Sequence, residues 1–153
     1  MGRALAARLD WAFEDADAWH SAANIAKMRS GYELSDEDRE PWLRSLNRAI
    51  QEWGAEERNV VLGCSGLKAS YRATLRSGNE RLVRFVYLKG TFERVQERLE
   101  SREGHFMPES LLRSQFETLE EPDASEAFAM NAALPVAQTV EAIIRGLQLQ
   151  MRE

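Results

Sequence analysis

The chain has 153 residues, a formal net charge of −5 and a pI near 5.2. That length suits one domain with a real core, and the acidic balance argues against non-specific nucleic-acid binding. The single cysteine, Cys64, excludes an intramolecular disulfide framework and fits a reducing cytosol; no apolar run reaches transmembrane length and no signal segment opens the chain.

Residues 1–10 read as a helix with Leu5, Ala6 and Leu9 on one face. Residues 11–14 are a short strand candidate that runs directly into Asp15-Ala-Asp17-Ala-Trp-His20. Two carboxylates two apart at a strand end point to the same side of an extended segment, where a metal and a hydroxyl can share them; the alternative is a capped helix start. Residues 22–29 form a short helix stopped by Gly31. Ser35-Asp-Glu-Asp38 is a capping sequence, and Trp42, Leu43, Leu46, Ile50 and Trp53 then give an apolar helical stripe, with Pro41 expected to bend or restart it.

Residues 59–72, NVVLGCSGLKASYR, read as a buried strand, a turn of small residues and a helix. Lys68 and Arg72 are four apart, so both are expected on one helical face, where a strand–turn–helix joint presents cations to an anion. The alternative is a pair of solvated charges. Residues 82–88 (LVRFVYL) are a second buried strand, followed by a Thr91-capped helix carrying Phe92, Val95 and Leu99. Strand alternating with helix predicts a parallel sheet. Arg98 and Arg102 lie four apart ahead of Gly104 and His105, which reads as a lid bringing arginines over a phosphoryl group or as an ordinary charged helix with a glycine stop. Residues 108–119 predict another helix, residues 127–131 a weak edge strand, and Pro135 opens a terminal helix with Val136, Val140, Ile143, Ile144 and Leu147 on one face.

The segments FEDADAWHSAANIAKMRSG, LSDEDREPWLRSLN, VVLGCSGLKASYR, VYLKGTFERVQERLESREGHFM and SQFETLEEPD follow one another in the order found in small gluconokinases and cover almost all of residues 3–123. The chain resembles that family of ATP-dependent sugar-acid kinases. The resemblance implies a single α/β domain, a three-layer P-loop kinase-like parallel sheet with flanking helices. It implies transfer of the γ-phosphoryl of ATP to the 6-hydroxyl of D-gluconate, with Mg2+, in the cytoplasm, by a homodimer with neither nucleic acid nor membrane as partner. It also assigns residues. Asp17 is the base or orienter of the reacting hydroxyl, with Asp15 nearer the metal through water. His20, Arg39, Lys68 and Arg72 match polar positions of the sugar-acid pocket. Arg102 matches the lid arginine that approaches ATP, Arg98 is a weaker candidate, and His105 closes the pocket.

One departure stands out. Such a kinase should open with an apolar strand and G-x-x-x-x-G-K-[ST], whose amides and lysine cradle the phosphates. Residues 63–68 are spaced G-x-x-G-x-K and do not substitute, while Gly2-Arg-Ala-Leu matches the helix that follows the loop. The chain is therefore expected to start past the loop, with roughly 15–20 residues of strand and loop absent. In the family's strand order the absent strand is central, so no regular ladder is expected between residues 59–64 and 82–88. Two alternatives stay open: an inactive relative that binds sugar acid or a partner, and another small kinase of the shikimate-kinase type, against which DADAWH and CSGLKASYR argue.

Overall fold

The computed structural model describes residues 1–101 and 107–150. Among them the order is α1 (Gly2–Leu9), β1 (Ala12–Asp15), a 3-10 turn (Ala16–Trp19), α2 (Ala22–Arg29), α3 (Asp36–Ala55), β2 (Val60–Gly63) and α4 (Ala69–Arg76). There follow β3 (Phe85–Lys89), α5 (Phe92–Glu100), α6 (Glu109–Thr118), β4 (Ala127–Asn131) and α7 (Val136–Leu147).

The caps stand where the sequence puts them. Ser35 Oγ accepts from the Asp38 amide and the Asp38 carboxylate accepts from the Ser35 amide, a complete capping box. Thr91 and Ser21 cap α5 and α2 by a single bond each, their hydroxyls accepting from the Arg94 and Asn24 amides. Pro41 neither breaks nor restarts α3, which runs unbroken for 20 residues. Proline removes one amide donor there, and the fixed helix start and buried stripe outweigh that loss.

All strand pairing is parallel: β1 pairs with β2 in the register Ala12↔Val60 to Asp15↔Gly63, and β3 pairs with β4 from Phe85↔Ala127 to Lys89↔Asn131. No ladder joins β2 to β3, so the sheet consists of two separate halves, as expected from the sequence. Helices hold the halves in one layer. Val61 and Val86 pack on the cluster of Leu5, Leu9, Val140 and Ile143, from α1 and α7. Their neighbours Leu62 and Phe85 pack on the opposite cluster, which includes Trp42, Leu46, Tyr71 and Leu75 from α3 and α4. Adjacent strand residues point to opposite faces, so each half feeds both helical layers. Burying Leu46 or Leu75, 0% and 2% exposed, contributes about 1.5–3 kcal/mol each.

Two elements differ from expectation. β3 begins at Phe85 rather than residue 82, because the Leu82 and Val83 amides donate to Asn79 O and make a turn that leaves Leu82 exposed. β4 is a full partner of β3 over five residues rather than a weak edge segment.

Candidate active site

Asp15 is the last residue of β1, and its Oδ1 accepts from the Asp17 amide at 3.0 Å. This is an N-cap on the 3-10 turn, so the two carboxylates do not share one face of an extended segment as expected. Both side chains are nonetheless exposed at one strand end. Beside them, desolvation and the carboxylates of Asp17 and Asp15 push the Cys64 thiol up to about 11, which keeps it protonated. The turn is held from below: Trp42 Nε1 donates to Ala16 O at 2.7 Å.

The same indole carries His20, whose ring stacks on it at a centroid distance of 4.1 Å and 17° between planes. Asn24 Nδ2 approaches His20 Nδ1 at 3.3 Å. Burial and the nearby Arg39 guanidinium lower the His20 pKa to about 4, so the ring is neutral at physiological pH.

Arg39 lies one turn before Trp42 on α3 and is 9% exposed. Its Nη1 donates to Tyr71 Oη at 2.8 Å, and Tyr71 in turn donates to Asp36. Lys68 Nζ closes the network on Asp36 Oδ1 and Oδ2 at 3.0 and 3.2 Å. The hydrogen bonds from Tyr71 and Lys68 hold the Asp36 carboxyl below its ordinary pKa, while burial and the bond to Asp36 raise that of Tyr71. The structure thus gathers His20, Arg39 and Lys68 into one polar surface and adds Asp36 and Tyr71. Sequence reasoning took Asp36 for a capping acid and passed over Tyr71. The available signal was the spacing Lys68-x-x-Tyr71, one turn apart.

Arg72 does not join this surface. Lys68 is extended (φ −102°, ψ 148°) ahead of α4, whereas Arg72 sits inside the helix, so the two cations do not share a face. The Arg72 side chain folds under Gly66, at φ +45°, and is 4% exposed. Nε and Nη2 donate to Glu126 Oε1 and Oε2 at 2.6 and 3.3 Å, and Nη1 donates to Gly66 O at 2.7 Å. The start of α4 does not stand open to an anion either: the Ala69 amide donates to Glu120 Oε1 at 2.9 Å. Arg98 Nη2 reaches Leu134 O at 3.4 Å on the surface. Arg102 and His105 lie outside the described residues.

A surface groove of about 550 Å³ runs elsewhere, along α7 between Met130, Leu134 and Arg145. It carries none of this polar network.

Comparison with known proteins identifies what these strand ends belong to. The shikimate kinase family model matches residues 1–143. The thermoresistant gluconokinase of Escherichia coli is 42% identical, covering 93% of this chain and 84% of its own length. The chain belongs to the gluconokinase family. A probable gluconokinase of Xenopus tropicalis is 40% identical over 97% of this chain and 84% of its own. Among solved structures, a sugar kinase from Janibacter superposes with a TM-score of 0.88 at 39% identity, covering 96% of this chain and 85% of that one. A gluconokinase from Sinorhizobium meliloti gives 0.82 at 42% identity, covering 96% and 82%. The parallel α/β kinase fold and the kinase class expected from the sequence are thereby established. The gluconokinase relatives also decide against the shikimate-type alternative, although the broader family model carries that name.

Proposed function

We propose that the polar surface at the ends of β1 and β2 takes the sugar acid, and that the reaction served is transfer of the γ-phosphoryl of ATP to the 6-hydroxyl of D-gluconate. The observation that carries this is the convergence of His20, Arg39 and Lys68 beside the turn bearing Asp17, in a chain about 40% identical to gluconokinases. Asp17 orients the attacking hydroxyl and receives its proton. Lys68 and Arg39 supply charge for the sugar carboxylate, and neutral His20 supplies a donor for an oxygen. Asp36, an exposed carboxylate, holds Lys68 directly and Arg39 through Tyr71. Arg72 belongs to the pocket wall through Glu126 rather than to the ligand.

A divalent ion, expected as Mg2+, fits only in part. Among the described residues no three His, Cys, Asp or Glu side chains cluster closely enough to hold one. Asp15, with one carboxylate oxygen on the Asp17 amide, would contribute a single oxygen, and phosphate oxygens would complete the shell. When bound, such an ion would neutralise charge between the β- and γ-phosphates. Arg102 and Arg98 are the proposed nucleotide contacts, and a cytoplasmic homodimer the proposed setting, which sedimentation of the purified chain tests.

Titration calorimetry with D-gluconate and with the neutral polyol glucitol tests the pocket. Gluconate should bind at least tenfold more tightly. Equal affinities would remove the carboxylate recognition assigned to Lys68 and Arg39.

A further inference from the structure

Resting on the sugar-acid reading of this pocket, we propose that Asn24 is a positioning residue. It locks His20 as the Nε2–H tautomer, so that the imidazole offers the substrate one uncharged hydrogen-bond donor.

The argument begins with an amide whose orientation is decided by its neighbours. Asn24 Nδ2 lies 2.9 Å from the backbone oxygen of Asp38, and a carbonyl oxygen can only accept. That contact fixes which end of the Asn24 amide is NH2. The same nitrogen lies 3.3 Å from His20 Nδ1 and brings its second hydrogen there. Nδ1 must then present its lone pair, which leaves the single proton of a neutral imidazole on Nε2. Asn24 is itself held, because its amide donates to Ser21 Oγ at 3.1 Å in the first turn of α2.

The ring has no easy way around this arrangement. Stacking on Trp42 sets its plane, and Trp42 is tied to Ala16 O. A half-turn about the Cβ–Cγ bond would keep the stack but replace Nδ1 with a carbon opposite Asn24, so the hydrogen bond selects one of the two faces. Nε2 remains available. It has no hydrogen-bond partner among the described residues, and His20 keeps 8% of its surface exposed. The charged groups around the ring act consistently. Arg39 opposes a second positive charge, and the Asp38 carboxylate is bonded to Lys27 at 2.7 Å. Sugar-acid binding through His20 is then independent of pH from about 5 upward.

Long-range 1H–15N correlation on the 15N-labelled chain reads the tautomer directly, and with two histidines in the sequence a His105→Gln variant completes the assignment. The expected result is an Nε2–H pattern for His20 at pH 7. Asn24→Asp, whose carboxylate can only accept, should switch it to Nδ1–H and weaken gluconate about tenfold. Asn24→Leu should give a mixture of both tautomers. An Nδ1–H pattern in the parent chain, or a pure Nε2–H pattern retained in Asn24→Leu, overturns the lock. A locked tautomer whose resonances do not move when gluconate is titrated overturns the substrate contact, and with it the sugar-acid reading of this pocket, while the lock itself stands.

Discussion

Replacing Arg72 with methionine separates a structural cation from a ligand-binding one. The Arg72 side chain is 5% exposed and its Glu126 partner 25% exposed, so substitution leaves a largely buried carboxylate without its counter-ion. Breaking a buried pair from one side costs about 3–5 kcal/mol, and the partial exposure of Glu126 sets the expectation at the lower end. Gly66 O also loses its donor at 2.7 Å, whereas Leu67 O keeps the Glu120 amide at 2.7 Å. One orphaned acceptor adds about 1 kcal/mol. Arg72→Met should therefore lose roughly 3–4 kcal/mol out of a total of about 5–15 kcal/mol. With a urea dependence of about 2 kcal/mol per molar, the midpoint should fall by about 1.5–2 M. Adding Glu126→Gln should recover part of that loss, because no uncompensated charge remains. The reasoning is refuted by a midpoint shift equivalent to less than about 1 kcal/mol, or by gluconate affinity collapsing while the midpoint stays put.

Other outcomes follow from the same geometry. Lys68→Met should weaken gluconate about tenfold and leave ATP affinity unchanged, since its ammonium sits on Asp36 beside Arg39 and Tyr71; the opposite pattern of dissociation constants would put this surface on the nucleotide. In a chimera carrying an upstream strand and phosphate loop, Asp17→Asn should lower turnover by about 10²–10⁴ with little change in ATP affinity; near-parental turnover would end the base assignment. His20 has a folded pKa of about 4 against 6.5 unfolded, so the unfolded state takes up the proton first and stability drains away as pH falls from about 6.5 to about 4. The loss should be about 2–3 kcal/mol and should be flattened by His20→Gln; equal pH slopes in the two proteins would refute it.

Much of this architecture was legible because local chemistry decides it. Ser35 and Thr91 announce helix starts through short-range hydrogen bonds, and the stripe of Trp42 and Leu46 announces a buried face. The strand pattern failed at residue 82 because an apolar LVRFVYL run says nothing of a turn closed by Asn79 O. The site was legible as a set of residue types and less so as contacts. Spacing places Lys68 and Arg72 on one helical face only if both are helical, and Lys68 is not. Nor can spacing show that Arg72 is committed to Glu126, 54 positions away, or that Tyr71 bridges Arg39 and Asp36. Such long-range partners are a property of the packed chain.

Much of the charge near the site is committed to structure. Asp15, Asp17, His20 and Lys68 all follow strands of the β1–β2 half. β2 and β3 share two helical layers but no ladder, so no strand-to-strand hydrogen bonds run between them. Apolar packing is non-directional and leaves relative sliding weakly opposed. Directional contacts between the halves include one backbone bond, from the Glu120 amide to Leu67 O at 2.7 Å, and side-chain bonds: Arg72 of α4 on Glu126 at the entry to β4, and the Glu120 carboxylate on the first amide of α4. Hydrogen bonds to charged groups are worth about 1.5–3 kcal/mol and have defined geometry, so they can hold a register that apolar contacts do not. In this half of the pocket wall a buried arginine is a structural demand before it is a chemical one. A cation one turn from the proposed substrate surface can be committed in this way, which leaves Arg39 and Lys68 as the cations proposed for the sugar acid.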